Sequence, residues 1–223
     1  MQTKFGNYPA KPKSDQTFNA YVIVCRTHDA SSSFLDIFQK TRKARRAKGV
    51  STDEEQDLLR AMLTFATAGL DSMVKQLVRD ALPAVINGDQ GARKKLEEYI
   101  AKRIRKGEQL DSKFLAGVLA SQHPLHSLVG GLVDTLTLGS LLSEKELFKV
   151  AAHFNIASQA LYEDSKLLGR IFHARNQISH EMDIDFDQPN RNRRPRRRDE
   201  MVKYTKEILS LSEMFLTLVD QKL

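Results

Sequence analysis

The stretch from Ser51 to Pro83 leaves a chain like this little choice but to build a helical core. Ser51-Thr52-Asp53-Glu54-Glu55 opens it with two overlapping ways to make a capping box, Ser51 with Glu54 or Thr52 with Glu55. Leu58, Leu59, Met62, Phe65, Ala66, Gly69, Leu70, Met73, Val74, Leu77, Val78 and Ala81 follow, before Pro83. These residues fall on two interleaved i, i+3/i+4 series, so the apolar face is broad. A helix with so wide a face is expected at the centre of the core. Asp71 lies beside that face and reads as an exposed or locally bonded carboxylate, with a supporting role in a site as the alternative.

Helical spacing continues through most of the chain. Phe34, Leu35 and Phe38 share one face of a helix expected from Ser31, which turns basic through Lys40, Arg42, Lys43, Arg45, Arg46 and Lys48 up to a C-cap at Gly49. That basic run complements the helix dipole; contact with RNA is the alternative. A turn at Gly88-Asp89-Gln90-Gly91 precedes a helix over 92–106, with Leu96, Tyr99, Ile100 and Ile104 on a thin apolar side. Shorter helices are expected over 111–121 and 124–141, and Ser143 with Glu146 starts another. A long helix from Ser158 to about Glu181, a charged loop over 183–199 and a last helix over 200–223 complete the series. Pro189 and Pro195 stop any helix from running through the loop.

With no convincing set of alternating strands and no internal repeat, the expected fold class is all-α. The 223 residues suffice for one substantial core or two very small ones, and a composition 41% apolar without Trp suits a helical protein. Residues 1–30 form an N-terminal extension whose structure stays open: Pro9 and Pro12 suggest an extended lead-in, and Thr17 to Cys25 reads as a short strand or as first helical turns. Residues 31–223 then form a single helical domain. Cys25 is the only cysteine, which excludes an internal disulfide and suits a reducing compartment. Apolar runs such as Ala20 to Cys25 fall far short of the ~20 residues needed to span a bilayer. The N-terminus lacks the apolar region and cleavage site of a signal peptide. The expectation is a cytoplasmic protein with no membrane partner.

Polar chemistry concentrates in His173-Ala174-Arg175-Asn176-Gln177-Ile178-Ser179-His180. At ~100° per residue, Leu167, Ile171, Ala174 and Ile178 make the core stripe of this helix, with Met182 at its frayed end. Measured from Ile178, Asn176 lies at ~160°, His180 at ~200° and His173 at ~220°, all turned away from the core. Arg175 and Ser179 lie at roughly 60–100°, between the two faces. An outward Arg, Asn and His suit cleavage of a phosphodiester. Histidine can take a proton from a 2′-hydroxyl or give one to the leaving oxygen, and arginine can clamp the phosphate. Asn176, one turn before His180, can orient the imidazole or the substrate. One helix supplies one histidine at this position; a symmetric dimer would supply the second.

Arg175-Asn176-x-x-x-His180 resembles the R-x4-6-H signature of the HEPN superfamily, including the polar residue after the arginine. Leu58-Leu59-Arg60, Ala68-Gly69-Leu70-Asp71, Ala174 to Met182 and Asp199-Glu200-Met201-Val202 resemble its RiboL-PSP-associated branch, so the likeness covers roughly residues 31–223. The resemblance implies a HEPN-like bundle with a core of long antiparallel helices and shorter inserted ones. It also implies a homodimeric, metal-independent endoribonuclease that leaves a 2′,3′-cyclic phosphate and needs no cofactor. Arg175 and His180 of both protomers would line its cleft. Such enzymes act in toxin–antitoxin or phage-defence systems, where an antitoxin or defence partner would restrain them. Met182 stands where the branch silenced by nucleotide transfer carries Tyr, so the resemblance does not extend to that control. Some HEPN domains only bind RNA, nucleotide or a protein partner, and that is the alternative function.

The remaining polar motifs are weaker. His173 reads as a neighbour or substrate contact of His180 rather than a second catalyst, and Ser179 as a further supporting residue. The seven-residue separation of the two histidines argues against a shared metal. Asp183-x-Asp185-x-Asp187 begins like a calcium loop but has Gln188 where the sharp turn needs glycine and Arg194 where glutamate should fall. Its carboxylates are expected to pair with the arginines that follow. Arg191, Arg193, Arg194, Arg196, Arg197 and Arg198 read either as a solvated loop or as a grip on RNA backbone. Cys25-x-x-His28 lacks partners and reads as incidental.

Overall fold

Of the two possible capping boxes, Thr52 and Glu55 form the one that is built. The Glu55 N–H donates to Thr52 Oγ1 at 3.3 Å and the Thr52 N–H to Glu55 Oε2 at 3.0 Å. The helix they open, α2 (Asp53–Asp80), is one of ten α-helices among the residues that the computed structural model describes, 5–46, 48–106 and 109–223. Leu59, Met62, Leu63, Ala66, Leu70, Met73, Val74, Leu77 and Val78 are all fully buried, as the broad apolar face requires. Phe65 is the exception: it is half exposed and lies 5.1 Å, centroid to centroid, from the Phe34 ring of the preceding helix.

That preceding helix, α1 (Phe18–Ala44), begins well before Ser31, so residues 18–30 belong to the bundle and the strand option for Thr17 to Cys25 falls away. It packs along α2 as a helical hairpin and can do so closely because of Gly69. A Cβ placed on Gly69 would lie 2.1 Å from Thr27 Oγ1 and 2.8 Å from Thr27 Cβ. α1 ends at Ala44, before the expected Gly49. Its basic end does more than complement a dipole: Arg42 and Arg45 both reach the buried Glu55 carboxylate, at 2.9 Å each. The hairpin turn is therefore closed by charge.

The remaining helices surround this pair. Pro83 sits in the first turn of α3 (Leu82–Gly88), and Asp89 caps α4 (Gln90–Ile104) by accepting from the Ala92 N–H. A two-residue antiparallel ladder, Arg105–Lys106 with Gln109–Leu110, leads to α5 (Ser112–Leu119) and α6 (Pro124–Thr137). After α7 (Glu144–His153), the helix expected from Ser158 is broken in two, α8 (Ser158–Leu161) and α9 (Ser165–Glu181). The break comes at Asp164, whose carboxylate accepts from the Leu167 N–H at 2.9 Å and starts α9 afresh. The chain closes with α10 (Arg198–Asp220), packed on both α1 and α2. Asp220 at its end accepts from the Lys13 and Ser14 N–H groups and from Thr17 Oγ1, which fastens the N-terminal lead-in. None of the helices among the described residues is long and apolar enough to cross a membrane.

Burial raises the proton affinity of Glu55, Asp89 and Asp220, but other contacts outweigh it and hold each below its ordinary value. For Glu55 these are the Arg45 side chain, the Thr52 N–H and the Arg42 side chain; for Asp89, the Lys222 side chain, the Ala92 N–H and Asn155. For Asp220 they are the Lys13 N–H, Thr17 and the Ser14 N–H. Each carboxylate therefore stabilises the fold fully above its unfolded pKa of about 4, and that stabilisation is lost as pH falls through the lower folded value. Urea unfolding should show stability dropping below about pH 4, with a shallower acid slope in Glu55→Gln. An unchanged slope in that variant would rule Glu55 out as a contributor. Gly69→Ala should cost about 1–3 kcal/mol in the same assay, partly recovered by Thr27→Ala.

Candidate active site

Asp164 sets where α9 starts, and its apolar side sets which way it faces. Leu167, Leu168, Ile171, Phe172 and Ala174 are buried, and Ile178 packs partly buried against the core. His173, Asn176, Ser179 and His180 are exposed, and Arg175 is intermediate, so the polar residues sit where the helical projection puts them. Met182 does not continue the apolar stripe; it is 65% exposed.

Three of these side chains meet. Arg175 Nη1 donates to Asn176 Oδ1 at 3.0 Å and bonds His180 Nε2 at 3.2 Å. A guanidinium has no acceptor atom, so Nε2 of His180 accepts and a neutral ring carries its proton on Nδ1. Arg175 Nε is buried without a hydrogen-bond partner, a loss of about 1–3 kcal/mol for an N–H removed from water. His173 and Ser179 make no side-chain hydrogen bond among the described residues. Asp71 is engaged elsewhere: it pairs with Lys75 Nζ at 2.7 Å and accepts from the Leu141 N–H at 2.7 Å, holding the link between α6 and α7.

The C-terminal end of α9 is turned sharply. Met182 and Asp183 both adopt left-handed backbone conformations, with φ of 52° and 59°. Aspartate tolerates that region, whereas a residue such as methionine gives up roughly 1–2 kcal/mol to enter it. The turn carries the Asp183 carboxylate into the core, fully buried against α2. Arg60 of α2, 2% exposed, donates Nε to Asp183 Oδ2 at 2.7 Å, Nη1 to Asp57 at 3.0 Å and Nη2 to the Arg194 carbonyl at 2.9 Å. Arg196 also binds the Asp183 carboxylate, and its Nη2 donates to Gln177 Oε1 of α9 at 2.9 Å.

Residues 183–194 consequently form a folded hairpin whose tip is exposed, and residues 198–199 already belong to α10. Ile184 bridges Arg193, the Asp185 N–H donates to the Asn192 carbonyl, and the Arg194 N–H donates to the Asp183 carbonyl. The arginines from 191 to 198 divide into two groups. Arg193 pairs with Asp57, Arg194 with Glu181 and Arg196 with Asp183, so these three hold the hairpin in place. Arg191 and Arg197 are exposed without an ion pair among the described residues, and Arg198 pairs only with the exposed Asp199. Asp183 and Asp185 pair with downstream arginines, as their order in the chain suggests. Among the described residues, no group of three or more His, Cys, Asp or Glu side chains is placed to hold a metal ion.

No family model, curated protein or solved structure matches the chain. Motif spacing gives the pairing of Asp183 with a downstream arginine but overlooks its contact with Arg60 and the bond between Gln177 and Arg196. A usable signal was nonetheless present. Gln56, Arg60 and Thr67 recur at helical spacing within the apolar face of α2, and all three are buried. A polar stripe inside such a face needs internal partners.

Removing either partner strands a buried charge, so Arg60→Ala and Asp183→Ala should each lower stability by about 3–5 kcal/mol in urea unfolding. Arg60→Lys should be only a partial rescue, because one ammonium cannot reach three acceptors spread around a planar fork. Wild-type stability in Arg60→Ala would show that the hairpin is held by other contacts.

Proposed function

We propose that the chain is a metal-independent endoribonuclease of HEPN type, with an active site shared between two copies of the protein. The observation that carries this reading is the convergence of Arg175, Asn176 and His180 on one outward face, joined by bonds of 3.0 and 3.2 Å. In the proposed reaction one His180 takes the proton of a ribose 2′-hydroxyl, and the freed oxygen attacks the adjacent phosphorus. The P–O5′ bond breaks, leaving a 2′,3′-cyclic phosphate, and the second protomer's His180 gives a proton to the departing 5′-oxygen. Arg175 stabilises the charge gathering on the nonbridging oxygens, and Asn176 holds the guanidinium in place.

Two further features support this reading. A buried N–H without a partner at Arg175 is a strain that a bound phosphate would relieve if the guanidinium swung outward. Arg191 on the hairpin that follows the site, with Arg197 and Arg198 at the start of α10, leaves positive charge where an RNA backbone would pass. The resemblance places such an activity in toxin–antitoxin or phage-defence systems, with an antitoxin or defence partner as its restraint. A second reading, a noncatalytic module that binds RNA, nucleotide or a protein partner, draws on one observation: Arg175 already occupies the His180 Nε2 lone pair.

Purified protein incubated with RNA and EDTA separates the two. Cleavage should persist in EDTA and fall by about 10²–10⁴ in His180→Ala, the usual loss on removing a general acid–base group. RNA binding with no cleavage, or equal cleavage by His180→Ala, would favour the noncatalytic module. Mixing Arg175→Ala,His180→Ala chains with wild type should depress activity by more than simple dilution. A proportional fall would exclude a site composed from two protomers.

A further inference from the structure

Away from the α9 face, α4, α6 and α7 line an open-sided cavity of about 530 Å³, within the usual range for small-molecule sites, with Lys102 and Arg103 exposed at its rim. Leu132, Leu136, Ala152 and the Tyr99 ring are among the apolar groups that line it, and its wall is predominantly apolar. Lys95, Lys102, Arg103 and Lys149 also line it, against Glu98 as the one carboxylate of the lining. Lys95 pairs with Glu98 at 2.7 Å and Lys149 with Glu146 at 3.1 Å, while Lys102 and Arg103 have no carboxylate partner among the described residues. Arg103 lies 5.1 Å from the centre of the Phe114 ring. The cavity thus joins a hydrocarbon wall to an excess of positive charge.

We propose that this cavity binds a small amphipathic carboxylate, with a hydrocarbon body against Leu132, Leu136 and Ala152 and its anionic head at Lys102 and Arg103. The His153 imidazole, also in the lining, registers the environment. Burial, then the charges of Lys95 and Lys149, lower its pKa to about 4 against the opposing pull of Glu98, so the ring is neutral at pH 7. The wall favours hydrocarbon over a nucleotide. A ribose and base bring many polar groups, and against the apolar part of the wall they would meet few partners. Tyr99 Oη and Thr135 Oγ1 face each other at 3.3 Å, and His153 Nδ1 is the one buried side-chain polar atom of the lining left without a hydrogen bond among the described residues. None of the lining residues belongs to α9, so this site stands apart from Arg175 and His180.

Calorimetric titration of the full chain with decanoate, decanol and adenosine monophosphate tests the assignment. Decanoate should bind one to one and saturate below about 1 mM, with decanol at least about tenfold weaker. Lys102→Glu,Arg103→Glu should lose about tenfold or more for decanoate with an unchanged circular dichroism spectrum. Ala152→Trp should abolish binding by filling the cavity, while Arg175→Ala,His180→Ala should bind as wild type does. Failure of decanoate to saturate, decanol binding as tightly as decanoate, or tighter binding of the nucleotide would each overturn the proposal. So would full affinity in the charge-reversed variant.

Discussion

The buried pair of Arg60 and Asp183 is the contact on which the placement of the polar face depends. It joins the middle of the core to the point where α9 turns back, residues 123 positions apart in the chain. Ion pairs in a low-dielectric interior repay their lost hydration only when the remaining donors and acceptors are also met. Here they are: Arg60 has three acceptors, and the Asp183 carboxylate has Arg60 and Arg196. The pair also offsets the cost of the two left-handed residues at 182 and 183, since their turn carries the carboxylate to Arg60.

α2 thus has two roles, and they sit on different stripes of one helix. Its aliphatic residues gather α1, α10 and α9 around it, while Gln56 and Arg60 receive the arginine-rich hairpin. A similar logic operates at the start of α2, where Glu55 takes both Arg42 and Arg45. Much of the positive charge in the chain is consequently structural. The count of 35 Lys and Arg overstates the cations left for a polyanion, since Arg42, Arg45, Arg60, Arg193, Arg194 and Arg196 are already matched with carboxylates.

The helices with strong apolar periodicity were legible from the residues alone, as were the outward directions of Asn176 and His180. The first half of α1 was not. The buried face of residues 18–30 is Ala20, Val24, Thr27 and His28, so only two apolar side chains, one of them alanine, carry the 3.6-residue signal there. Thr27 packs against Gly69, but without that neighbour in view a threonine and a histidine here resemble loop composition. The break before α9 was hidden for a different reason. No proline or glycine marks it, and Asp164 acts as a cap only because its carboxylate takes the Leu167 N–H. The folding of the basic hairpin was half legible: acids ahead of arginines suggested pairing, but the partners on α2 are distant in sequence.

α9 is fixed at both ends, by Asp164 at its start and by the Gln177–Arg196 bond near its finish, with Ala174 and Ile178 seated between them. On the proposed reading, its backbone would have little freedom left to surrender on binding RNA. The ordering that accompanies binding then falls on the side chains of the outer face, on the order of 0.5–1.5 kcal/mol for each one immobilised. Asn176 and His180 are already bonded to Arg175, which leaves the long, half-buried arginine as the principal moving part. Affinity at this face would be limited less by assembling the constellation than by how readily a single guanidinium exchanges its neighbours for a guest.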